Sequence, residues 1–319
     1  MDRRRGEFGS RLDKQRAPVA LRALMLHISG DEHVAFHHSD FCFDEHRCAV
    51  EASRRAGSGA AAQAAPFVEH ELSASWDAFH RQHSGAAFFK ARRYLLAEFP
   101  VLATRGKELT VLELGCGNGS SCLPLLLANP DARVVACDFA ESAVTATRLA
   151  ASNAGVSSRL VAFQADPGSG SADEFAAALS AAVLLAGWPP LKHFDAVLAV
   201  FVLSALPPAR VQNFLASACS CLRPGGCLLA RDYGLFDQAH LRFSREASAR
   251  LFSRQDGTLA RFFDRDELVD VVCRGAASAG VHLAGEAEWH TVAVPNRAKS
   301  ISMRRVFVHA VFTRALDDL

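Results

Sequence analysis

The run Leu112-Glu113-Leu114-Gly115-Cys116-Gly117-Asn118-Gly119-Ser120 gathers residue types suited to holding a nucleoside-like ligand. Glycines let a backbone turn sharply and approach a ligand closely, and a turn that opens a helix presents unpaired amides. Two more acids follow. Asp138 closes the apolar run Ala132–Cys137, where a carboxylate can accept both hydroxyls of a ribose. Asp166 closes Arg159–Ala165, where it can take the exocyclic amine of an adenine. Dinucleotide enzymes use a related turn, but with G-x-G-x-x-G spacing. Here the glycines fall at every second position and no Ser/Tyr/Lys set stands out. The plainer alternative is that the glycines serve helix–strand packing and the acids cap helices. It has to account for all these features falling in register.

The elements that must position these residues alternate. Leu109–Gly115 reads as a buried strand, Cys122–Pro130 as a helix stopped by Asn129-Pro130, and Ala132–Phe139 as a second strand. A helix ending at Gly155 follows, then the strand Arg159–Asp166. After a glycine-rich stretch come the helix Glu174–Gly187, the strand His193–Leu203, a helix Ala209–Leu222 closed by Pro224-Gly225-Gly226, and the strand Cys227–Gly234. Such alternation implies a parallel sheet with helices on both faces, and the acids and glycines then share the C-terminal strand ends where ligands bind. Residues 234–262 form an arginine-rich insertion, and Asp266–Gly280 a helix. Val281–Val294 and Met303–Ala315 suit an antiparallel hairpin.

Upstream, residues 1–66 read as a partly flexible extension, with a low-complexity linker over Ala52–Ala65. Phe67–Pro100 reads as helical, anchored by Trp76, Phe79, Phe88, Phe89, Tyr94, Leu95 and Phe99. Of 319 residues half are apolar, enough for one large α/β domain with an appendage. The net charge is +1, so any basic surface has to be local. Nine cysteines, several inside apolar runs and none in a Cys-x-x-Cys pair, fit free thiols better than disulfides. The spacing of His37, His38, Cys42, His46 and Cys48 matches no standard closed zinc site, so no metal is expected. No membrane span and no clean signal peptide are evident; the expected compartment is the cytoplasm, with mitochondrion and nucleus left open.

An acid before the glycine turn and acids at the ends of the next two strands resemble the S-adenosylmethionine site of class I methyltransferases. Motifs outside that turn resemble the tRNA 3-methylcytidine methyltransferases. These are Trp76-Asp77-Ala78-Phe79, Phe88–Arg92, Glu98-Phe99-Pro100, Phe201–Ala205, Arg231-Asp232-Tyr233-Gly234-Leu235-Phe236-Asp237, Leu241-Arg242-Phe243, Arg254–Thr258, Phe262-Phe263, Asn296-Arg297-x-Lys299 and Arg305-Val306-Phe307. The likeness runs from about Phe67 to Thr313. Phe8–Arg11 and Phe36-His37-His38 resemble the branch acting on threonine and arginine tRNAs. The chain departs from the pattern at His80, at Ala91-Arg92-Arg93-Tyr94, and at Pro167-Gly168.

The resemblance implies a Rossmann-like α/β fold with a seven-stranded, mostly parallel sheet. A catalytic domain spans 67–319 and contains an N-terminal helical lid segment, 67–107. It also implies methylation of cytidine N3 in tRNA, at position 32 of the anticodon loop, with S-adenosylmethionine as cofactor. Expected cofactor contacts are Trp76, Lys90, Arg92, Glu113, Gly115, Gly117, Asp138, Phe139, Asp166 and Phe201. Asp232 is expected to offset charge forming on the base and Tyr233 to stack on it. Arg93, Arg242, Arg245, Arg254, Arg297, Lys299 and Arg305 are expected to meet RNA phosphates. An auxiliary protein or an aminoacyl-tRNA synthetase is an open partner. The alternatives are a methyltransferase for a small molecule or protein, which would not need the arginine-rich insertion, and a non-catalytic RNA-binding relative. Intact Glu113, Gly115, Gly117 and Asp138 weigh against the last.

Overall fold

The apolar runs form strands in the expected order. In the computed structural model, which describes residues 39–56, 72–82, 90–243, 250–296 and 301–316, these are β1 (Leu109–Leu114), β2 (Ala132–Asp138), β3 (Leu160–Gln164), β4 (Phe194–Val200) and β5 (Leu222–Tyr233). A two-stranded ribbon, β6 (Leu251–Ser253) and β7 (Leu259–Arg261), precedes β8 (Leu283–Asn296) and β9 (Ile301–Arg314). One seven-stranded sheet has the order β3-β2-β1-β4-β5-β9-β8. Its first five strands are parallel, and β9 runs antiparallel to both β5 and β8.

Side chains alternate across each strand and so feed two cores. Leu112 and Leu114 of β1 pack on one face with α6 (Ala172–Leu185), α7 (Pro208–Ser220) and α9 (Arg265–Ser278). Val111 packs on the other face with α4 (Cys122–Ala128), α5 (Glu141–Asn153) and the segment containing α3 (Leu95–Glu98). No helix of the described residues is long and apolar enough to cross a membrane.

Four local readings change. Phe67–Pro100 is not one helical stretch: α2 spans Leu72–Gln82, α3 is a single turn, and Pro100–Ala103 is a 3₁₀ turn. Residues 83–89, with Phe88 and Phe89, lie outside the described residues. The helix before β5 stops at Ser220, and Arg223–Gly226 fall inside β5 as an irregularity against β4, where Phe194 pairs with Leu222 and Ala196 with Cys227. The arginine-rich insertion contains α8 (Gln238–Phe243) and the β6–β7 ribbon, signalled by Asp256-Gly257 but not anticipated.

The fourth change is at the N-terminal side. Helix α1 (Phe43–Ala56) takes in the first residues of the supposed linker, since alanine and arginine favour helix. It clasps the β8–β9 hairpin. Phe43 stacks on Trp289 at 3.8 Å, His46 Nε2 bonds to the Phe236 carbonyl at 3.1 Å, and the Asp40 amide donates to the Thr291 carbonyl at 2.8 Å. Phe8–Arg11 and Phe36-His37-His38 lie outside the described residues, and among those described no His, Cys, Asp and Glu group could hold a metal.

Candidate active site

A single cavity follows the C-terminal tips of five neighbouring strands. Its wall includes Asp166 beyond β3, Asp138 and Phe139 at β2, Gly115–Asn118 after β1, Phe201 and Val202 after β4, and Tyr233 ending β5. Helix α2 supplies Leu72, Trp76 and His80, and Arg92, Arg210 and Arg254 reach in from three other segments.

The turn after β1 is held in place from β2. The Gly115 and Cys116 amides donate to the Cys137 carbonyl, and the Gly117 amide to Asp138 Oδ2 at 2.9 Å. Gly115 has φ +73°, and a Cβ there would lie 2.6 Å from a Val202 methyl. Only glycine satisfies both conditions. Asp138 Oδ1 accepts the Ala140 amide at 3.0 Å. Burial pushes the Asp138 carboxyl up, while the amides of Ala140 and Gly117 work against that.

Glu113 is not on the wall. It is buried beneath the turn, where Oε2 accepts the Cys122 amide at 3.1 Å at the start of α4. Burial raises it to about 7, with Ser121 and Arg92 pulling the other way. It therefore shapes the turn from below. Arg92 completes this layer: its amide donates to the Ser120 carbonyl, its guanidinium to Ser121 Oγ at 2.9 Å, and it lies 5.1 Å from the Phe201 ring.

At the β3 end, Asp166 Oδ2 pairs with Arg210 at 2.6 Å and Oδ1 accepts the Gly168 amide at 3.0 Å. Arg210 was not singled out in the sequence, and His80 and Asn118 were named only as a departure from the family pattern and as part of the glycine run, not as site residues. The Pro207-Pro208 helix start of α7, which carries Arg210 to the sheet's ligand-binding edge, was the available signal.

At the β4–β5 end the wall is aromatic. Phe201 and Tyr233 lie 4.9 Å apart at 38°, with Phe307 behind them at 5.7 and 6.2 Å. Phe201 has φ +58°, and its amide is held by the Arg231 carbonyl at 2.7 Å. Burial raises the Tyr233 hydroxyl above its ordinary range.

Asp232 does not meet the expectation placed on it. It is fully buried and off the wall, with Oδ2 accepting the Ser204 amide at 2.9 Å and Oδ1 the Tyr233 amide at 2.8 Å. Burial raises it to about 6. Its work is to lock the turn after β4 against the end of β5.

The expected RNA residues divide. Arg242 is exposed on α8, and Arg93 is half-buried. Arg254 lines the cavity, with its guanidinium donating to the Leu259 carbonyl at 2.5 Å. Arg305 is not a loose surface cation: Nε donates to the buried Asp237 at 2.7 Å, and the guanidinium lies 5.2 Å from the Phe307 ring. Lys90 is exposed and off the wall. Arg245, Arg297 and Lys299 lie outside the described residues.

The residues present fit S-adenosylmethionine. The glycine turn is a cradle that a Cβ would obstruct, and two strand-tip carboxylates lie along the same groove. Trp76 Nε1 and Asn118 Oδ1, both buried in wall residues, have no hydrogen-bond partner among the described residues. A donor and an acceptor so placed suit the charged amino-acid end of that ligand.

Residues 112–228 match the family model described as a methyltransferase domain. Among solved structures, the cyclase SpnF has a TM-score of 0.52 at 13% identity, covering 81% of this chain and 100% of that one. That likeness shows the fold alone. The tRNA N(3)-cytidine methyltransferase METTL2 of Xenopus tropicalis is 31% identical over 288 residues, covering 77% of this chain and 79% of the relative. Human METTL6, of the same description, is 31% identical over 253 residues, covering 77% and 82%. The tRNA(Thr) (cytosine(32)-N(3))-methyltransferase of Saccharomyces cerevisiae is 30% identical over 245 residues, covering 74% of this chain and 36% of that longer protein. With relatives matched over most of both chains, and the glycine turn and strand-tip acids gathered in one groove, this chain belongs to the tRNA N(3)-cytidine methyltransferase family.

Proposed function

We propose that this S-adenosylmethionine-dependent enzyme forms 3-methylcytidine at position 32 of the tRNA anticodon loop, with threonine and arginine tRNAs as the candidate substrates. The observation that carries the reading is the continuity of one cavity from Asp166 and Asp138 to the aromatic pair Phe201 and Tyr233, in a chain of this family. The position is the one modified by the yeast relative, a tRNA(Thr) (cytosine(32)-N(3))-methyltransferase.

Asp166 would hold the adenine amine, Asp138 the ribose hydroxyls, and the glycine turn with Asn118 and Trp76 the amino-acid end. When bound, the cofactor supplies an activated methyl group on a sulfonium. Cytosine N3 carries a lone pair and no proton, so no side chain has to act as a base. The task of the protein is to align N3, exclude water and stabilise the positive charge the base acquires. Phe201 and Tyr233 offer π faces for that charge, a role the buried Asp232 cannot take directly. A base reaching this wall has to leave its stack, as in other base-modifying enzymes. Arg254, which lines the same cavity, would bind the O2 or phosphate of the flipped nucleotide.

The test is methyl incorporation into unmodified threonine and arginine tRNA transcripts, with and without cytidine replaced by uridine at position 32. Incorporation into the first set and its loss in the second is expected. Equal incorporation in both would refute the position, and incorporation only when a synthetase is added would define the partner.

A further inference from the structure

Helix α2 roofs the cavity through Leu72, Trp76 and His80, spaced four residues apart and so on one face. The Trp76 and His80 rings lie 5.8 Å apart. Across the cavity, a Cβ placed on Gly117 would lie 3.5 Å from His80 Cε1, so the imidazole sits over the glycine turn. It is also close enough to Asp138 to lower that carboxyl electrostatically.

What holds α2 there is a contact with the next helix along the site. Asp77 Oδ1 accepts the Ser142 amide at 3.1 Å, and Ser142 Oγ donates to the Asp77 carbonyl at 3.2 Å. Ser142 is the second residue of α5, which begins just after Asp138. First-turn amides have no partner within their own helix, and the α5 N-cap residue, Ala140, has no side chain to offer one. Asp77 therefore caps α5 from outside. The Ser142 hydrogen bonds keep its carboxyl below the usual range, and Arg81 pairs with it at 2.6 Å.

We propose that His80 is a direct contact for the bound cofactor and that Asp77, by capping α5 from α2, is the positioning residue that holds His80 and Trp76 over the site. This rests on reading the cavity as the S-adenosylmethionine site. Cofactor binding and α2 docking are then coupled, and each strengthens the other. Asp138 across the cavity and Asp77 on its own helix both lie close enough for His80 to lower their carboxyls.

Calorimetric titration of the full chain with S-adenosylhomocysteine tests this. Asp77→Ala and His80→Ala should each weaken binding about tenfold, and the double variant roughly twentyfold rather than a hundredfold, because both act through one contact. Asp77→Asn keeps an acceptor for the Ser142 amide and should stay within about threefold of wild type. Ligand-free melting temperatures should shift by only a few degrees. Wild-type affinity in Asp77→Ala, a hundredfold loss in the double variant, or an Asn variant as weak as the alanine one would each overturn the proposal. Asp138→Ala is the control for the cavity reading: undiminished affinity there would remove that reading and this proposal with it.

Discussion

Glu113 shows how a residue can matter to a site it does not touch. Its carboxyl sits under the glycine turn and holds the start of α4, and burial lifts it to about 7. The unfolded chain releases that proton near its ordinary value of 4.5, so between the two values the folded state binds one proton more. Raising the pH through that window therefore costs stability, by up to about 3 kcal/mol. Glu113→Gln, whose side-chain oxygen can still accept the Cys122 amide, should lessen the slope in thermal melts from pH 4.5 to 7.5, leaving the smaller share of the buried Asp232, raised to about 6. An unchanged slope would mean that Glu113 does not titrate in this window.

The glycines and strand-tip acids were legible because their residue types leave few other uses at a strand end. Asp232 was misjudged for a reason the sequence did contain. Adjacent residues within a strand face opposite ways, and with Tyr233 lining the cavity the Asp232 side chain turns away to the Ser204 and Tyr233 amides.

Arg231 and Glu98 form a buried ion pair that joins three elements. Glu98 comes from α3, Arg231 from β5, and the Arg231 guanidinium also bonds His290 of β8 at 2.7 Å. It lies 4.9 Å from the Tyr94 ring and 4.5 Å from the Phe307 ring, while the Arg231 carbonyl holds Phe201 in its left-handed conformation. His309 extends the network, with Nδ1 at 3.0 Å from Glu98. Burial is the largest influence and works against a charged His309, but the hydrogen bonds to Glu98 and Glu288 and the charge of Glu98 together outweigh it and raise the pKa. Breaking such a pair strands a buried charge. Glu98→Ala should lower unfolding stability in urea by about 3 kcal/mol, and Glu98→Gln with Arg231→Met together should lower it by less than Glu98→Ala alone. A loss under about 1 kcal/mol for Glu98→Ala would show that the pair does not brace the aromatic wall. Little of this was readable in advance. Periodicity assigns strands and helices, but not which charges from segments more than a hundred residues apart will meet.

At the scale of the whole molecule, the sheet and its terminal hairpin were legible, because alternating strand and helix patterns with right-handed crossovers leave few arrangements. The docking of α1 was not. Phe43 meets Trp289 across nearly the full length of the described chain, a contact no local pattern encodes. The consequence for function is a sheet whose parallel half builds the groove while its antiparallel edge, clasped by α1, braces the aromatic end. With a net charge of +1, long-range attraction to RNA is weak, so the proposed function assigns recognition to local cations, the exposed Arg242 among the candidates, and to the groove itself.

The central claim is that this groove transfers a methyl group to cytidine N3. Its most direct test is to incubate purified protein with unmodified tRNA and methyl-labelled S-adenosylmethionine, digest the tRNA to nucleosides and identify the labelled product by mass spectrometry. The wild-type chain should yield labelled 3-methylcytidine and Asp138→Ala at least tenfold less. Label in a different nucleoside, no label at all, or equal label from both proteins would contradict the account.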